Sequence, residues 1–211
     1  MILRILIADD HPVFRRGIKQ IISETPDMIV ADEVSNGWEV LDKVRSPNYD
    51  VLLLDISMPG KSGIDVLIQM KDEGIALRTL VLSMHPEDQY AIRALKAGAS
   101  GYLTKESAPE ELVAAIRKVT AGGRYVSSSL AERLAAIVQG NTDEVPHEAL
   151  SDREYQVMVL IAAGKTIEAI ARELSLSAKT ISTYRARILE KMRMKNNSEL
   201  MRYALDNHLI E

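Results

Sequence analysis

Val51-Leu52-Leu53-Leu54-Asp55-Ile56-Ser57-Met58-Pro59-Gly60 is the stretch that decides the fold. Its first four residues are apolar at successive positions, so neither face of an extended segment would meet water. Such a strand belongs in the middle of a parallel sheet. A single carboxylate closes the run, and Pro59 and Gly60 stop it. Working outward, short apolar runs occur at Leu3–Ala8, 29–34, 79–82 and 101–103. Amphipathic helical patterns fall between and after them, at 12–24, 37–45, 62–73, 88–97 and 109–121. Five strands alternating with five helices describe a doubly wound α/β domain that ends near Gly122-Gly123.

The rest of the chain reads differently. Residues 127–139 predict one more helix, capped by Ser127 or Ser128. Residues 140–149 carry Gly, Asn, Thr, Asp, Pro and His with little apolar content and read as a linker. After Leu150 no strand signal remains, and helical segments follow at 152–163, 166–174, 178–192 and 198–207. Ser151 with Glu154 forms a capping-box pattern, and Gly164 suits a C-cap. The expected division is 1–122, an α/β domain; 123–149, a helix and linker; and 150–211, an all-α domain.

Composition narrows the chemistry. The chain has 211 residues, enough for two small domains, each burying its own core. It contains no Cys, which excludes disulfides, thiol nucleophiles and Cys-ligated zinc. The apolar start is too short for a signal peptide and no run approaches a membrane span, so a cytoplasmic protein without membrane contact is expected. The net charge of −4 hides an asymmetry. Residues 1–146 hold 16 Lys and Arg against 21 Asp and Glu; residues 147–211 hold 10 against 9. Within 179–195 six basic residues stand against Glu190 alone, so only the back half is suited to a polyanion.

In an open parallel sheet the chemistry sits at the carboxyl ends of the strands. Those ends carry Asp9 and Asp10, Asp55, Ser83, and Thr104-Lys105. Crowded carboxylates repel one another unless a cation joins them, and Mg²⁺ suits an all-oxygen set. A carboxylate beside Mg²⁺ can attack a phosphoryl group to form an acyl phosphate, with the hydroxyl and ammonium binding the phosphoryl oxygens. Singly, these residues have blander readings: a strand-end turn acid, an ordinary hydroxyl, a solvated lysine. His11 and His85 flank the site and read as helix-start and loop residues rather than ligands. Trp38 begins a surface helix placed far from the rim and receives no role.

These residues, in this order, resemble the receiver domain of two-component response regulators over roughly 3–121. The matching parts are Asp9-Asp10, Asp55 within Leu54-Asp55-Ile56-Ser57-Met58-Pro59-Gly60, Ser83, Ala97-Gly98-Ala99 with Gly101-Tyr102, and Lys105. The resemblance implies that Asp55 accepts the phosphoryl group. It implies that Asp10 binds Mg²⁺ directly, Asp9 through water, and Ser57 through its backbone carbonyl. Ser83 and Lys105 would bind the phosphoryl group, and Tyr102 would swing inward when Ser83 is drawn to it. One departure is Glu106, where many receivers follow the Lys with Pro.

In the back half, segments 166–174 and 178–192 are joined by a short turn at Leu176-Ser177. A helical wheel of the second puts Ile181, Tyr184, Ile188 and Met192 on one stripe. The opposite face carries Lys179, Ser182, Thr183, Ala186, Arg187 and Glu190. A helix that enters the major groove with its N-terminal residues has this form. Arg185, Lys191, Arg193 and Lys195 lie off that face and suit phosphate contacts. The pattern over 149–208 resembles the LuxR-type helix-turn-helix domain, and the whole chain then resembles the NarL/FixJ family. Ser182 stands where the family commonly has Lys, which removes one strong guanine contact. The resemblance implies a sensor histidine kinase, double-stranded DNA and a second copy of the chain as partners, and leaves RNA polymerase open as another. The chain is then a regulator rather than an enzyme, catalysing only its own phosphoryl transfer and dephosphorylation. Two other functions compete: a phosphotransferase or phosphatase with an aspartyl intermediate, disfavoured because the rim has no lid or substrate pocket, and a DNA-binding protein with a degenerate receiver, disfavoured by the complete set of rim residues.

Overall fold

The computed structural model describes residues 2–46, 48–84, 87–138, 146–207 and 209–210. The chain divides into two compact units, Met1–Ala135 and Ala136–Glu211. In the first, strands β1 (Leu3–Ala8), β2 (Met28–Val34), β3 (Val51–Asp55), β4 (Arg78–Ser83) and β5 (Gly101–Thr104) alternate with α1 (Pro12–Ser23), α2 (Gly37–Val44), α3 (Gly63–Asp72), α4 (Glu87–Ala97) and α5 (Pro109–Thr120). The strands form one sheet in the order β2-β1-β3-β4-β5, every pairing parallel. This is the doubly wound, flavodoxin-like arrangement expected, followed by a helical unit. β3 lies in the centre, and each of its five residues is buried. Ile5, Ile7, Leu53, Leu80 and Leu82 pack with Ile18 and Ile22 of α1 and Ile116 and Val119 of α5. The alternate residues Leu6, Leu52, Leu54 and Val81 are equally buried and face the other side, as the two-residue period of a strand requires. The strand order reverses between β1 and β3, so their C-terminal loops diverge and leave a crevice there.

Local signals start and stop these helices where the chain needs them. Pro12 and Pro109 stand in the first turns of α1 and α5, where a missing N–H costs nothing. Ser62 and Asp65 form a reciprocal capping box that opens α3. Gly63, the first residue of α3, lies against the end of β3: a Cβ there would stand 2.3 Å from the Asp55 carbonyl oxygen and 2.9 Å from Ile56 Cα. Gly63→Ala is therefore expected to destabilise the first unit by about 3 kcal/mol through overpacking against backbone. Urea unfolding checks this, and an unchanged midpoint would show that the loop yields freely.

Beyond α5 the chain returns to the sheet. Tyr125 forms a parallel bridge with Gly101, its N–H donating to Ser100 O at 3.0 Å and its carbonyl accepting from Tyr102 N–H at 3.1 Å. Ser127 then caps α6 (Ser128–Val138) by accepting the Leu130 N–H at 3.1 Å, and its hydroxyl also bonds Glu87 at the start of α4.

The second unit holds a 3-10 helix (Pro146–Ala149) and helices α7 (Asp152–Ala162), α8 (Ile167–Glu173), α9 (Ala178–Lys191) and α10 (Asn197–Asp206). Ser151, Thr166, Ser177 and Asn196 cap the four α-helices in turn. Tyr155, Ile170, Ile181, Ile188, Leu200 and Ala204 are fully buried between them. Gly164 ends α7 at φ +80, as its place after the helix suggested. The polar composition of 140–149 suggests a linker; residues 140–145 lie outside the described residues, and Pro146–Ala149 are helical. The His147 ring explains the order: its Nδ1 is 2.8 Å from the Tyr203 hydroxyl, and its centroid is 5.7 Å from that of Tyr155. Among the described residues, no helix is long and apolar enough to cross a membrane.

Candidate phosphoacceptor rim and DNA-facing helix

The three acids of the rim come together. Ligand atoms of Asp9, Asp10, His11 and Asp55 lie within 4.8 Å of one another. Asp9 and Asp10 follow β1, and Asp55 closes β3, so the crevice between those neighbouring strands brings them face to face. Asp9 and Asp55 are each only 2% exposed. Between them lies the equally buried ammonium of Lys105, 2.6 Å from Asp9 Oδ2 and 2.8 Å from Asp55 Oδ2. β5 delivers that lysine, and its N–H donates to Ser83 O at 2.8 Å, which joins the last residue of β4 to the rim. The Ser83 side chain is completely buried. The Ser57 N–H donates to Asp55 Oδ1 at 3.1 Å. Tyr102 on β5 is buried, at 2% exposed. His85 lies outside the described residues.

The electrostatics of Asp55 are opposed. Burial pushes its carboxyl up; the Lys105 ammonium, by charge and by hydrogen bond, pulls it down; Asp9 pushes it up again, and the Ser57 amide pulls it down. The net result is a value above that of an ordinary aspartate. A cation added to this cluster would offset both the burial and the repulsion from Asp9. The donor set suits one. Asp9 Oδ2 and Asp10 Oδ1 are buried and accept no hydrogen bond of good geometry, although the first is beside Lys105 and the second is 2.8 Å from His11 Nδ1. Buried carboxylate oxygens left in that condition fit a hard, oxygen-seeking ion such as Mg²⁺.

Some residues at the rim escaped the sequence reading. His11 does occupy the helix-start position of α1, but its ring also joins the acidic cluster, and its N–H donates to Asp9 Oδ1 at 2.7 Å. Arg15, one turn on, donates to the Asp9 carbonyl at 2.6 Å, and the Phe14 ring centroid is 4.7 Å from the Lys105 ammonium. The spacing of His11 and Arg15 on one helix face was a usable signal; nothing in the linear chain joins Phe14 to Lys105. Trp38 corrects an expectation. Far from being remote, it lies against Gly60 and Lys61 in the loop that follows Asp55.

In the second unit α9 buries the stripe that its periodicity marked. Ile181 and Ile188 are fully buried, Met192 is 4% exposed, and Tyr184 is half-buried. Lys179, Ser182, Thr183, Ala186, Arg187 and Glu190 are all exposed. The six basic residues do not act alike. Lys191 is held 2.6 Å from Glu154 at the start of α7, and half-buried Arg185 donates to Asn197 Oδ1 at 2.7 Å. Burial pushes the Glu154 carboxyl up, but Lys191 and the Ser151 cap outweigh it and hold it below the usual range. Lys179, Arg187, Arg193 and Lys195 are exposed, with no ion pair among the described residues. Arg193 has φ +55 just beyond the end of α9, so the chain turns sharply there.

Comparisons with known proteins agree with this division. Residues 5–117 match the response regulator receiver domain, and residues 148–204 match the bacterial regulatory proteins of the luxR family. The response regulator UvrY of Escherichia coli is 34% identical over 98% of this chain and 95% of its own length. The nitrate/nitrite response regulator protein NarL of the same organism is 36% identical over 92% of this chain and 91% of its own. Among solved structures, RcsB from Salmonella enterica serovar Typhimurium, bound to promoter rprA with the phosphomimetic BeF3-, superposes with a TM-score of 0.65. That likeness spans 96% of this chain and 98% of RcsB at 26% identity.

Proposed function

Since the chain belongs to the NarL/FixJ family of two-component response regulators, a receiver followed by a LuxR-type DNA-binding domain that regulates transcription, we propose that phosphorylation of Asp55 controls its binding to DNA. The observation that carries this reading is the buried Lys105 ammonium bridging Asp9 and Asp55 at the sheet's carboxyl rim. Lys105 opposes the effect of burial on the Asp55 carboxyl, by charge and by hydrogen bond, and so favours its anionic, nucleophilic form. An Asp55 oxygen attacks the phosphorus of a phosphohistidine or small acyl phosphate; the leaving group departs with its electron pair, and a carboxyl–phosphate bond forms. Asp10, Asp55 and the Ser57 carbonyl would hold Mg²⁺, with Asp9 acting through water; bound there, the ion neutralises the acids and the incoming phosphoryl oxygens. Lys105 and the Ser83 hydroxyl then bind the transferred group, and Tyr102 follows Ser83. Both switch residues lead to the same segment: Tyr102 is bonded to Tyr125, and Ser83 stands four residues before Glu87, which bonds Ser127. The chain's own chemistry is limited to this self-phosphorylation and to hydrolysis of the aspartyl phosphate, in which water takes the phosphoryl group as inorganic phosphate and the Asp55 carboxylate is restored.

The partners follow from the same reading: a sensor histidine kinase as donor, double-stranded DNA at α9, RNA polymerase at the promoter, and a second copy of the chain. A single helix-turn-helix reads few base pairs, so specific binding calls for a pair. Leu200 and Ala204 of α10 are spent on the unit's own core, whereas Met201 and Leu205 are 38% and 46% exposed and available to a twin. All of this takes place in the cytoplasm, where kinase and chromosome meet. We place the working boundaries at 1–122, 123–149 and 150–211. Gel shift of the full chain on genomic fragments tests the reading. Acetyl phosphate with Mg²⁺ should tighten specific binding, and identical binding with and without them would defeat the control mechanism.

The hydroxyls at the start of α9 refine the base contacts. Ser182 Oγ donates to Ala178 O at 2.9 Å and Thr183 Oγ1 to Lys179 O at 3.0 Å. With those protons committed, each offers lone pairs, suited to the amino groups of cytosine or adenine. Ser182→Ala or Thr183→Ala should therefore change sequence preference. Arg193→Ala should instead weaken binding to all sequences and lower the salt slope by about 1. If Arg193→Ala relaxed base preference and the other two did nothing, α9 would have been read in the wrong orientation.

A further inference from the structure

Trp38 takes no part in the chemistry above, yet it is built into the loop that serves it. The side chain stands in the first turn of α2 and is 59% exposed. Its ring nevertheless lies directly on backbone. A Cβ placed on Gly60 would stand 2.9 Å from Trp38 Nε1 and 3.0 Å from Cδ1, so only glycine leaves room for the indole. Gly60 has φ +77, a conformation that glycine also adopts most readily. The Lys61 ammonium is 5.2 Å from the ring centroid, within cation–π range, and also bonds Gln69 on α3. Gly37, the residue before Trp38, lies equally close: a Cβ there would meet the Lys61 carbonyl oxygen at 2.4 Å. The Asn36 side chain fixes the start of this helix by accepting the Glu39 N–H at 3.0 Å. The first turn of α2 is thus pressed onto Gly60-Lys61 by backbone and by indole together.

The other end of the same loop is fixed as well. Gly63 lies on the Asp55 carbonyl, and its N–H donates to Ile56 O at 2.9 Å. Between the two fixed points lies Ser57, whose amide bonds Asp55. An exposed indole that rests on glycine backbone buries little area for the core, so stability alone does not account for its place.

We propose that Trp38 is a positioning residue for the cation site: it clamps Gly60-Lys61 so that the loop after Asp55 keeps the shape that presents Ser57 to both the carboxylate and the ion. This rests on the reading of the acidic cluster as an Mg²⁺ site. Residues that orient ligands from outside the coordination sphere set metal affinity by about tenfold or more.

The test uses the full chain as native protein, Trp38→Ala and Trp38→Phe. Amide hydrogen exchange at residues 57–61 is followed without metal, and Mg²⁺ binding is followed by calorimetry. Trp38→Ala should speed exchange at 57–61 and weaken Mg²⁺ binding by about tenfold. Trp38→Phe, which keeps a ring over Gly60, should restore both, and the urea midpoint should change little in either variant. Trp38 is also the sole tryptophan, so its fluorescence in the native chain should shift with Mg²⁺ at the calorimetric midpoint. Native exchange at 57–61 or native Mg²⁺ affinity in Trp38→Ala would overturn the proposal, as would fluorescence that ignores Mg²⁺ while calorimetry records binding. If the native chain takes up no Mg²⁺ at all, the cluster has been misread; the metal-free exchange then decides the clamp by itself.

Discussion

Asp55→Asn takes no phosphoryl label from acetyl phosphate in Mg²⁺, whereas the native chain is labelled stoichiometrically. This is the largest effect expected of any single substitution here. The carboxamide is nearly isosteric, so packing around a residue 2% exposed should survive. What it lacks is an anionic oxygen. Lys105, which now bridges two carboxylates, would keep only Asp9. Labelling of the native chain should also require the cation, because three acids would otherwise repel an anionic donor. Intact-mass measurement with and without Mg²⁺ reads both effects. Full label on the Asn variant would remove Asp55 from its role.

The second large effect concerns the helical unit alone. A fragment of residues 146–211 should bind specific DNA without any phosphate, on the order of 10- to 100-fold more tightly than the unphosphorylated full chain. The fragment has the means to fold: four capped helices around a buried Tyr155, Ile181, Ile188 and Leu200. Starting at Pro146 keeps His147 on Tyr203. Coupling of this size corresponds to roughly 1–3 kcal/mol, which a phosphate-driven shift between two states can supply. Fluorescence anisotropy at one fixed salt concentration compares fragment, unphosphorylated chain and phosphorylated chain. Equal affinities would rule out restraint by the receiver and leave DNA binding itself untouched.

The legible parts of this chain were those that rest on local rules. Asp55 stood out because a charge closed an all-apolar strand, and Asp9, Ser83 and Lys105 because each ended a strand run. The parallel sheet then gathers strand ends on one rim whatever lies between them. The buried stripe of α9 followed from its helical period, and the cap at Ser151 followed from side-chain chemistry. The missed features depend on partners brought in by tertiary packing. Trp38 reads as a surface aromatic until β3 places Gly60 and Lys61 beneath it. Lys191 reads as a phosphate-seeking cation until α7 turns Glu154 towards it. Glu154 was recognised as a capping residue, and one carboxylate serves both purposes. His147 sat in a polar stretch whose order comes from two tyrosines on other helices.

The return of Tyr125 to β5 also bears on self-association. An unpaired strand edge is a template for a strand from another molecule. At the β2 edge of the sheet the backbone is flanked by charge: Asp32 with Lys43, and Glu33 with Lys19 and Arg15. β5 has no such row of charges; Gly101, Tyr102 and Leu103 are all buried, and their edge is covered by one residue of a passing segment. A receiver fragment cut at Gly122 would remove that cover and leave the Tyr102 N–H and Ser100 carbonyl facing solvent beside apolar side chains. Such a piece would stick to its own kind at high concentration, while one carried through the end of α6 would stay dispersed. The residues that lead out of the receiver thus also close its β5 edge.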